Sequence, residues 1–375
     1  MKFDEFENIE VPEEVDVFIK NGVKKAEKIK KKRKTQKIVV AAATLVLCCG
    51  VLVNDNTWAL VDSITKKIED YLGADNDEFE EYKTGVEQSA SDHNVTMTLK
   101  EVMLEDGEFI LNMNLDFSKI KLGKGESIIN YMPQIKEVYI DGKKFLPSSV
   151  MQEFGNSESE SIDNIKKKDN IDFLTRLQID SVEGDSNGAN NVLENLDKNK
   201  DYNVKIVFGK IEKMAGNIDD STGESIKGNW EFNFTVNAKE MKKKTKVYNV
   251  DKEIEIKEKN KTTLLKFKEL RISPIYARLY LDAESTGSED FLNNISIEVI
   301  DQAGNLILEG ISGGSAYVNG KNKYINLVSE QELYQGGKKI DTDKIEYVKI
   351  IPVKLTEGGS VAKRYKDKAI IVNLK

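Results

Sequence analysis

The chain has 375 residues, with 56 Lys and Arg against 64 Asp and Glu, and a formal net charge of −8. That length suggests two or three folded units. One histidine and two adjacent cysteines, Cys48 and Cys49, exclude an ordinary structural zinc site, and the part beyond residue 54 can form no internal disulfide.

Charge divides at an apolar stretch. Residues 1–37 carry 11 basic and 8 acidic side chains, a net of +3, and the remainder carries 45 against 56, a net of −11. Residues 20–37 alone hold 10 basic residues and one acid, Glu27. Such a run suits the anionic inner leaflet of a membrane. It contains no interleaved aromatic residues, so no direct nucleic-acid partner is expected.

In chain order, residues 1–10 are acidic. Val11, Pro12, Glu13 and Glu14 read as a helix start, with Pro in the first turn and two acids favoured by the helix dipole. Val15, Ile19, Val23 and Ala26 follow at helical spacing, with Phe18 and Ile29 beside them, and the amphipathic helix runs to about Arg33. Too few residues surround this stripe to give it a core. The covers open to it are the membrane surface, a second copy or a cytoplasmic partner; an exposed, half-formed helix is the alternative, because isolated helices of this length are marginal.

Residues 38–53 read IVVAAATLVLCCGVLV, with no charge and one hydroxyl. As a helix they reach ~24 Å, a little short of the ~30 Å hydrocarbon layer. Trp58, Leu60 and Val61 extend the apolar stretch, with Trp58 at the headgroup level, Leu45 and Leu47 within the lipid, and Lys37 snorkelling at the other end. A buried core helix and a cleaved signal peptide are the competing readings. The lysines in front and the missing polar face favour an uncleaved single span, with a cytoplasmic N-terminus and an exported C-terminal bulk.

Residues 58–72 (WALVDSITKKIEDYL) read as a short helix ended by Gly73, and a second, acidic helical piece is expected over residues 76–88. From Val95 the period changes to two. Residues 95–117 form two strands around Asp106 and Gly107, a strong hairpin signal, and residues 137–145 repeat the device at Asp141 and Gly142. Further strands are expected at 173–182, 202–211 and 230–236, separated by long exposed loops at 157–168 and 183–200. The charged stretch 238–246 is a candidate boundary. Strands resume at 251–256, 262–272 and 275–281, with Ser273 and Pro274 marking a kink or edge between the last two. A hairpin at 295–310 turns at Gln302–Asn305, and strands at 324–328, 345–355 and 369–374 complete a second β unit. The expected fold is mainly β: one N-terminal transmembrane helix followed by two antiparallel β-sandwiches. The parts are a cytoplasmic basic helix (1–37), the span (38–54), a helical connector (55–92), a first sandwich (93–240) and a second (247–375).

Little in the chain carries catalytic chemistry. His93 stands beside Asp92 in a polar link and reads as an exposed loop residue. The segment from Gly313 to Tyr317 lacks the closing glycine of a nucleophile elbow. Asp197, Asn199 and Asp201 open like a calcium loop, but Tyr202 and Phe208 stand where that loop needs Gly and Glu. No phosphate-binding or dinucleotide motif is present, and no carboxylate pair stands out. No catalytic, cofactor-binding or metal-ligating residue is assigned, and the chain reads as a non-enzyme.

The leading VPEEVDVFIKNGVKKAEKIKKKRK, the single apolar stretch, the Trp-Ala exit and NVTMTLKEVMLEDGEFILNMNL together resemble a Gram-positive family of single-span, anti-sigma-factor-like membrane proteins with an extracytoplasmic domain of unknown function. The stretch LRISPIYARLYLDAES (residues 270–285) looks like the companion immunoglobulin-like C-terminal domain. The resemblance implies transmembrane regulation. Val15, Phe18, Ile19 and Val23 would bind an extracytoplasmic-function sigma factor by a helix-in-groove mode, and the β region would sense an unknown extracytoplasmic ligand or protein. Residues 1–37 contain neither His nor Cys, so the zinc-based capture used by one class of anti-sigma domains is excluded. The alternative is a cell-surface binding or structural module on one membrane anchor, with no sigma partner. An ectoenzyme is the third reading.

Overall fold

The computed structural model describes residues 67–75, 77–123, 126–154, 168–179, 192–214, 224–258, 261–286, 295–311, 315–318, 321–335, 338–356 and 359–375. The amphipathic helix, the apolar stretch and Trp58 lie outside these residues. Among the described residues no helix is long and apolar enough to cross a membrane.

Alternation of apolar and polar side chains favours extended chain, and extended chain must pair to satisfy its backbone. The N-terminal half does so in nine strands: β1 (Lys83–Asp92), β2 (Val95–Glu105), β3 (Glu108–Asp116), β4 (Tyr131–Ile140), β5 (Lys143–Phe145), β6 (Pro147–Phe154), β7 (Asn170–Ile179), β8 (Tyr202–Lys213) and β9 (Ser225–Val236). Sheet I has the order β1-β2-β3-β7-β6 and sheet II the order β5-β4-β8-β9, all antiparallel. Both Asp-Gly hairpins form as the sequence leads one to expect. Gly107 takes φ 102°, and Asp141 and Gly142 take φ 49° and 79°, the left-handed conformations a two-residue turn requires.

The two sheets are joined by an apolar layer and by edge bridges. Phe109 on β3 meets Phe234 on β9 edge-on at 6.4 Å, and the buried Trp230 ring donates from Nε1 to the Val95 carbonyl at 3.1 Å. Along the β1 and β9 edges, the Gln88 amide donates to the Asn233 carbonyl and accepts from its N–H, at 2.6 and 3.0 Å. Gly228 is required by close approach: a Cβ there would lie 2.5 Å from the Trp230 ring.

The opposite face of sheet I is polar yet largely covered. Hydroxyl pairs Ser89–Thr98 and Ser91–Thr96 sit at 2.8 Å, and Asp172 accepts from Asn114 at 2.8 Å and meets Lys100 at 3.0 Å. A short helix, α1 (Ile68–Leu72), is seated there. Its first N–H donates to the Glu101 carboxylate at 2.8 Å, and Lys83 bridges Glu69 and Glu101 at 2.8 and 3.0 Å. Gly73, at φ 67°, terminates it as expected.

After β9 a second helix, α2 (Lys239–Lys244), leads into β10 (Lys246–Glu258), β11 (Lys261–Ile272), β12 (Tyr276–Ser285), β13 (Ile295–Asp301), β14 (Leu306–Glu309), β15 (Ser315–Val318), β16 (Lys321–Glu332), β17 (Tyr334–Gln335), β18 (Lys338–Lys339), β19 (Tyr347–Leu355), β20 (Val361–Arg364) and β21 (Ile370–Asn373). Sheet III runs β10-β11-β12-β16-β15. Sheet IV runs β14-β13-β19-β20, with β21 also on β19, and β17 and β18 pair alone. The turn after Asp301 is closed by that side chain, which accepts from the N–H groups of Ala303 and Asn305 at 2.8 Å. The described residues from 67 onward, with sheets I–IV and the β17–β18 pair, form one compact unit.

Four expectations are corrected. Residues 77–82 are turns and 83–88 belong to β1, so the acidic helix over 76–88 does not form; pairing with β2 across Lys83–Met103 to Asp92–Val95 overrides local helix preference. The β region therefore begins at Lys83 rather than at residue 93, inside the expected helical connector. The loop expected to be exposed at 183–200 buries Leu193 completely in its described part. Ser273 and Pro274 form a tight turn between directly paired strands, not a kink: the Ser273 hydroxyl accepts from the Ile275 and Tyr276 N–H groups at 3.2 and 3.0 Å.

Phe109→Ala should lower the unfolding free energy of the full chain by about 3–5 kcal/mol, measured by denaturant titration. Gly228→Ala should also destabilise, because the fully buried Trp230 ring has no room to retreat; an unchanged midpoint would contradict the packing described.

Candidate functional site: a charged joint between the sheet pairs

The β2–β3 hairpin ends in the sequence Glu105, Asp106, Gly107, Glu108. Glu105 and Glu108 are the last paired residues, directly opposite each other. Their side chains share the face that carries Glu101 and Asn112, away from sheet II. A charged hairpin tip ordinarily stands in water. Here Glu105 is 0% and Glu108 3% exposed.

Sheet III covers them. Its strand β12 alternates Tyr276, Arg278 and Tyr280 on one face with Ala277, Leu279 and Leu281 on the other, which faces the core. Arg278 pairs in register with Arg271 on β11 and with Glu330 on β16. Two guanidinium groups on directly opposed residues repel, so this face calls for anions. Asp106 at the hairpin tip and Glu330 on β16 supply them. Arg278 donates to Glu105 and to Glu330, and lies 3.9 Å from Glu108. Arg271 donates to Asp106 at 2.6 Å and to Glu269 at 2.6 Å, and Lys198 meets Asp106 at 3.2 Å. Arg176 on β7 donates to Glu332 on β16. The rings of Tyr276 and Tyr280 lie under Arg278 and Arg271, each 4.5 Å from the guanidinium carbon.

Burial sets the acid–base character of the joint. It pushes the Glu105 carboxyl up to about 8, against the pull of Arg278. Burial also raises Glu108 and Glu194. Asp106 behaves oppositely: burial pushes it up, but Lys198 and Arg271 outweigh that and hold it below the usual carboxylate range. Oε1 of Glu105 is buried with no hydrogen-bond partner, and the buried Tyr276 hydroxyl is set against Glu108.

Beside this cluster lies an open cavity of about 400 Å³. The hairpin turn (Asp106), the 194–198 segment, α2 and β11 wall it. Met241, Leu196 and Val247 give it an apolar side, and Glu194, Lys198 and Arg271 a charged one. Tyr280 donates to Glu194 at 3.2 Å. Its size falls within the range of small-ligand sites.

The residues singled out from sequence for partner and membrane contact, Val15, Phe18, Ile19, Val23, Lys37, Leu45, Leu47 and Trp58, all lie outside the described residues. His93 is placed in the β1–β2 turn with φ 48°, and its Nδ1 is 2.8 Å from Asp92. Asp197 accepts from the Asn199 N–H at 3.0 Å, and Asp201 from Asn237 and Lys239, so these oxygens serve turns and lysines. Sequence reasoning missed Glu105, Glu108 and Arg278. The available signal was an arginine at a strand's alternating position with a tyrosine two residues to each side.

Residues 30–116 match a family described as a domain of unknown function, DUF4179. This stretch begins in the basic run, contains the apolar segment and ends with β3. No curated protein matches the chain. A solved structure described as the conserved domain protein from Bacillus anthracis is similar, with 15% identity over 83% of this chain and 99% of that one, at a TM-score of 0.47.

Arg278→Met should cost about 1–3 kcal/mol of stability at neutral pH, because it leaves the buried Glu105 carboxyl without its hydrogen-bond donor and Glu330 without its cation. Chemical denaturation of the full chain checks this; a loss under about 1 kcal/mol would mean that the joint is well hydrated.

Proposed function

We propose that this protein is a single-pass, membrane-anchored regulator of the anti-sigma-factor type. Residues 38–54 cross the cell membrane once, with the basic segment in the cytoplasm. Val15, Phe18, Ile19 and Val23 form the face that holds an extracytoplasmic-function sigma factor. The two sheet pairs, read as immunoglobulin-like sandwiches, lie outside the membrane and act as the sensor without catalysing a reaction. An extracytoplasmic ligand or protein engages the cavity at the joint.

One observation carries this reading. The family-matched stretch 30–116 contains both the apolar segment and the hairpin whose tip is buried in sheet III. On this reading an event at the joint is passed to the segment of chain that continues into the proposed span. The hairpin, on the same reading, is docked on the arginine face in one state of the switch and released from it in the other. The alternative, a surface binding module with no sigma partner, draws on the open cavity.

The two readings separate in one experiment. Tagged full-length protein is purified from membranes of cells carrying a sigma-factor panel. Co-purification of one sigma factor is expected, with a drop of at least about tenfold when Phe18 and Ile19 are both changed to Asp, since both would leave a buried apolar contact. If the unsubstituted chain retains no sigma factor, and deleting residues 1–37 alters no transcript, the regulator reading is lost and the surface module stands.

A further inference from the structure

Four carboxylates and two guanidinium groups form the inner part of the joint. Glu105, Glu108, Glu330 and Glu332 face Arg278 and Arg176. With every carboxylate ionised, the inner part carries an excess of two negative charges. Charge buried without compensation is expelled or neutralised. The surrounding groups do not supply the missing cations. On the hairpin turn, Asp106 adds a further negative charge, and Lys198 and Arg271 are spent on it. On β11, Glu269 shares Arg271. From the 192–196 turn comes Glu194, another acid, and from β12 come only the hydroxyls of Tyr276 and Tyr280. Among the described residues no His, Cys, Asp or Glu group is arranged to hold a metal ion.

Glu105 leaves an oxygen with no partner, and the group set against Glu108 is the uncharged Tyr276 hydroxyl. These two carboxylates are also the most deeply buried, opposite each other at the end of the hairpin. Glu330 and Glu332 are partly exposed and keep an outlet to water. Two protons on the inner pair would balance the cluster.

We propose that the joint is proton-linked: Glu105 and Glu108 enter it as neutral carboxylic acids, and their ionisation releases the hairpin tip from sheet III. The proposal goes beyond the regulator reading and does not require it, since it concerns only how the two sheet pairs are held together. The sign follows from linkage. A carboxyl raised from 4.5 to about 8 in the docked state binds a proton there that it loses on release. Docking is therefore strongest at low pH, weakens as pH rises between those values, and levels off above the upper one. Asp106, which is lowered, opposes this only at the acid end, where its protonation would loosen Arg271 and Lys198.

The test is amide hydrogen exchange of the full-length chain in detergent, from about pH 5 to about pH 9, with each rate divided by its intrinsic chemical rate. The protection of residues 101–112 and 275–281 should fall by up to about tenfold per pH unit for each linked proton, between about pH 5 and 8. The β8–β9 pair, in sheet II, should show no such fall. In Glu105→Gln, Glu108→Gln, which cannot ionise, the hairpin should stay protected throughout. A flat profile in the unsubstituted hairpin, an equal fall in β8–β9, or an unchanged slope in the double variant would each overturn the proposal. Should the double variant not fold, the contrast between hairpin and β8–β9 in the unsubstituted chain still decides. Failure to capture a sigma factor leaves this result untouched.

Discussion

A guanidinium group withdrawn from water has to be met by negative charge, and Arg278 is 4% exposed. Its neighbour in register is another arginine, Arg271. Sheet III therefore presents a face that is unfavourable alone, and the β2–β3 hairpin completes it: Asp106 brings the anion for Arg271, and Glu105 an acceptor for Arg278. In reverse, the buried Glu105 carboxyl gains Arg278 as its donor. Each half of the joint is poor without the other, and this mutual need holds two separately layered sheet pairs in one compact unit.

An apolar contact of similar area would hold them more cheaply, since desolvating ions costs several kcal/mol per group. The ionic joint adds register. A guanidinium that must satisfy Glu105 and Glu330 together admits few positions of the hairpin on the sheet, whereas an apolar face tolerates sliding. It also adds responsiveness, because groups poised between two charge states report on their surroundings. The cavity beside the joint shares Asp106, Glu194 and Arg271 with this network, so a molecule seated there would touch the same charges.

The hairpin is the hub of the described structure. Its inner face meets Phe234 and Trp230 of sheet II. Its outer face carries α1 at Glu101 and the arginine face of sheet III at Glu105 and Glu108. The family-matched stretch ends at Asp116, so it contains the hairpin's carboxylates, Glu105, Asp106 and Glu108, while Arg278 and the other acids of the joint lie beyond it.

What could be read in advance was local. Asp106-Gly107 and Asp141-Gly142 announced their turns, because few residue pairs accept positive φ, and the period-two pattern on either side announced strands. Gly73 announced a helix end for the same backbone reason. Residues 76–88 were misread because their acidic residues favour helix locally, whereas residues 83–88 are held extended by a hairpin with β2 that turns at His93 and Asn94. Glu105 and Glu108 were unreadable as site residues because a glutamate beside a turn looks the same whether water or a guanidinium waits for it. Sequence by itself settled the Asp-Gly turns, the Gly73 helix end and which residues alternate, since those follow from the conformational limits of single residues. Tertiary structure alone decided which charges leave water, since that depends on what a strand some 170 positions away brings to meet them.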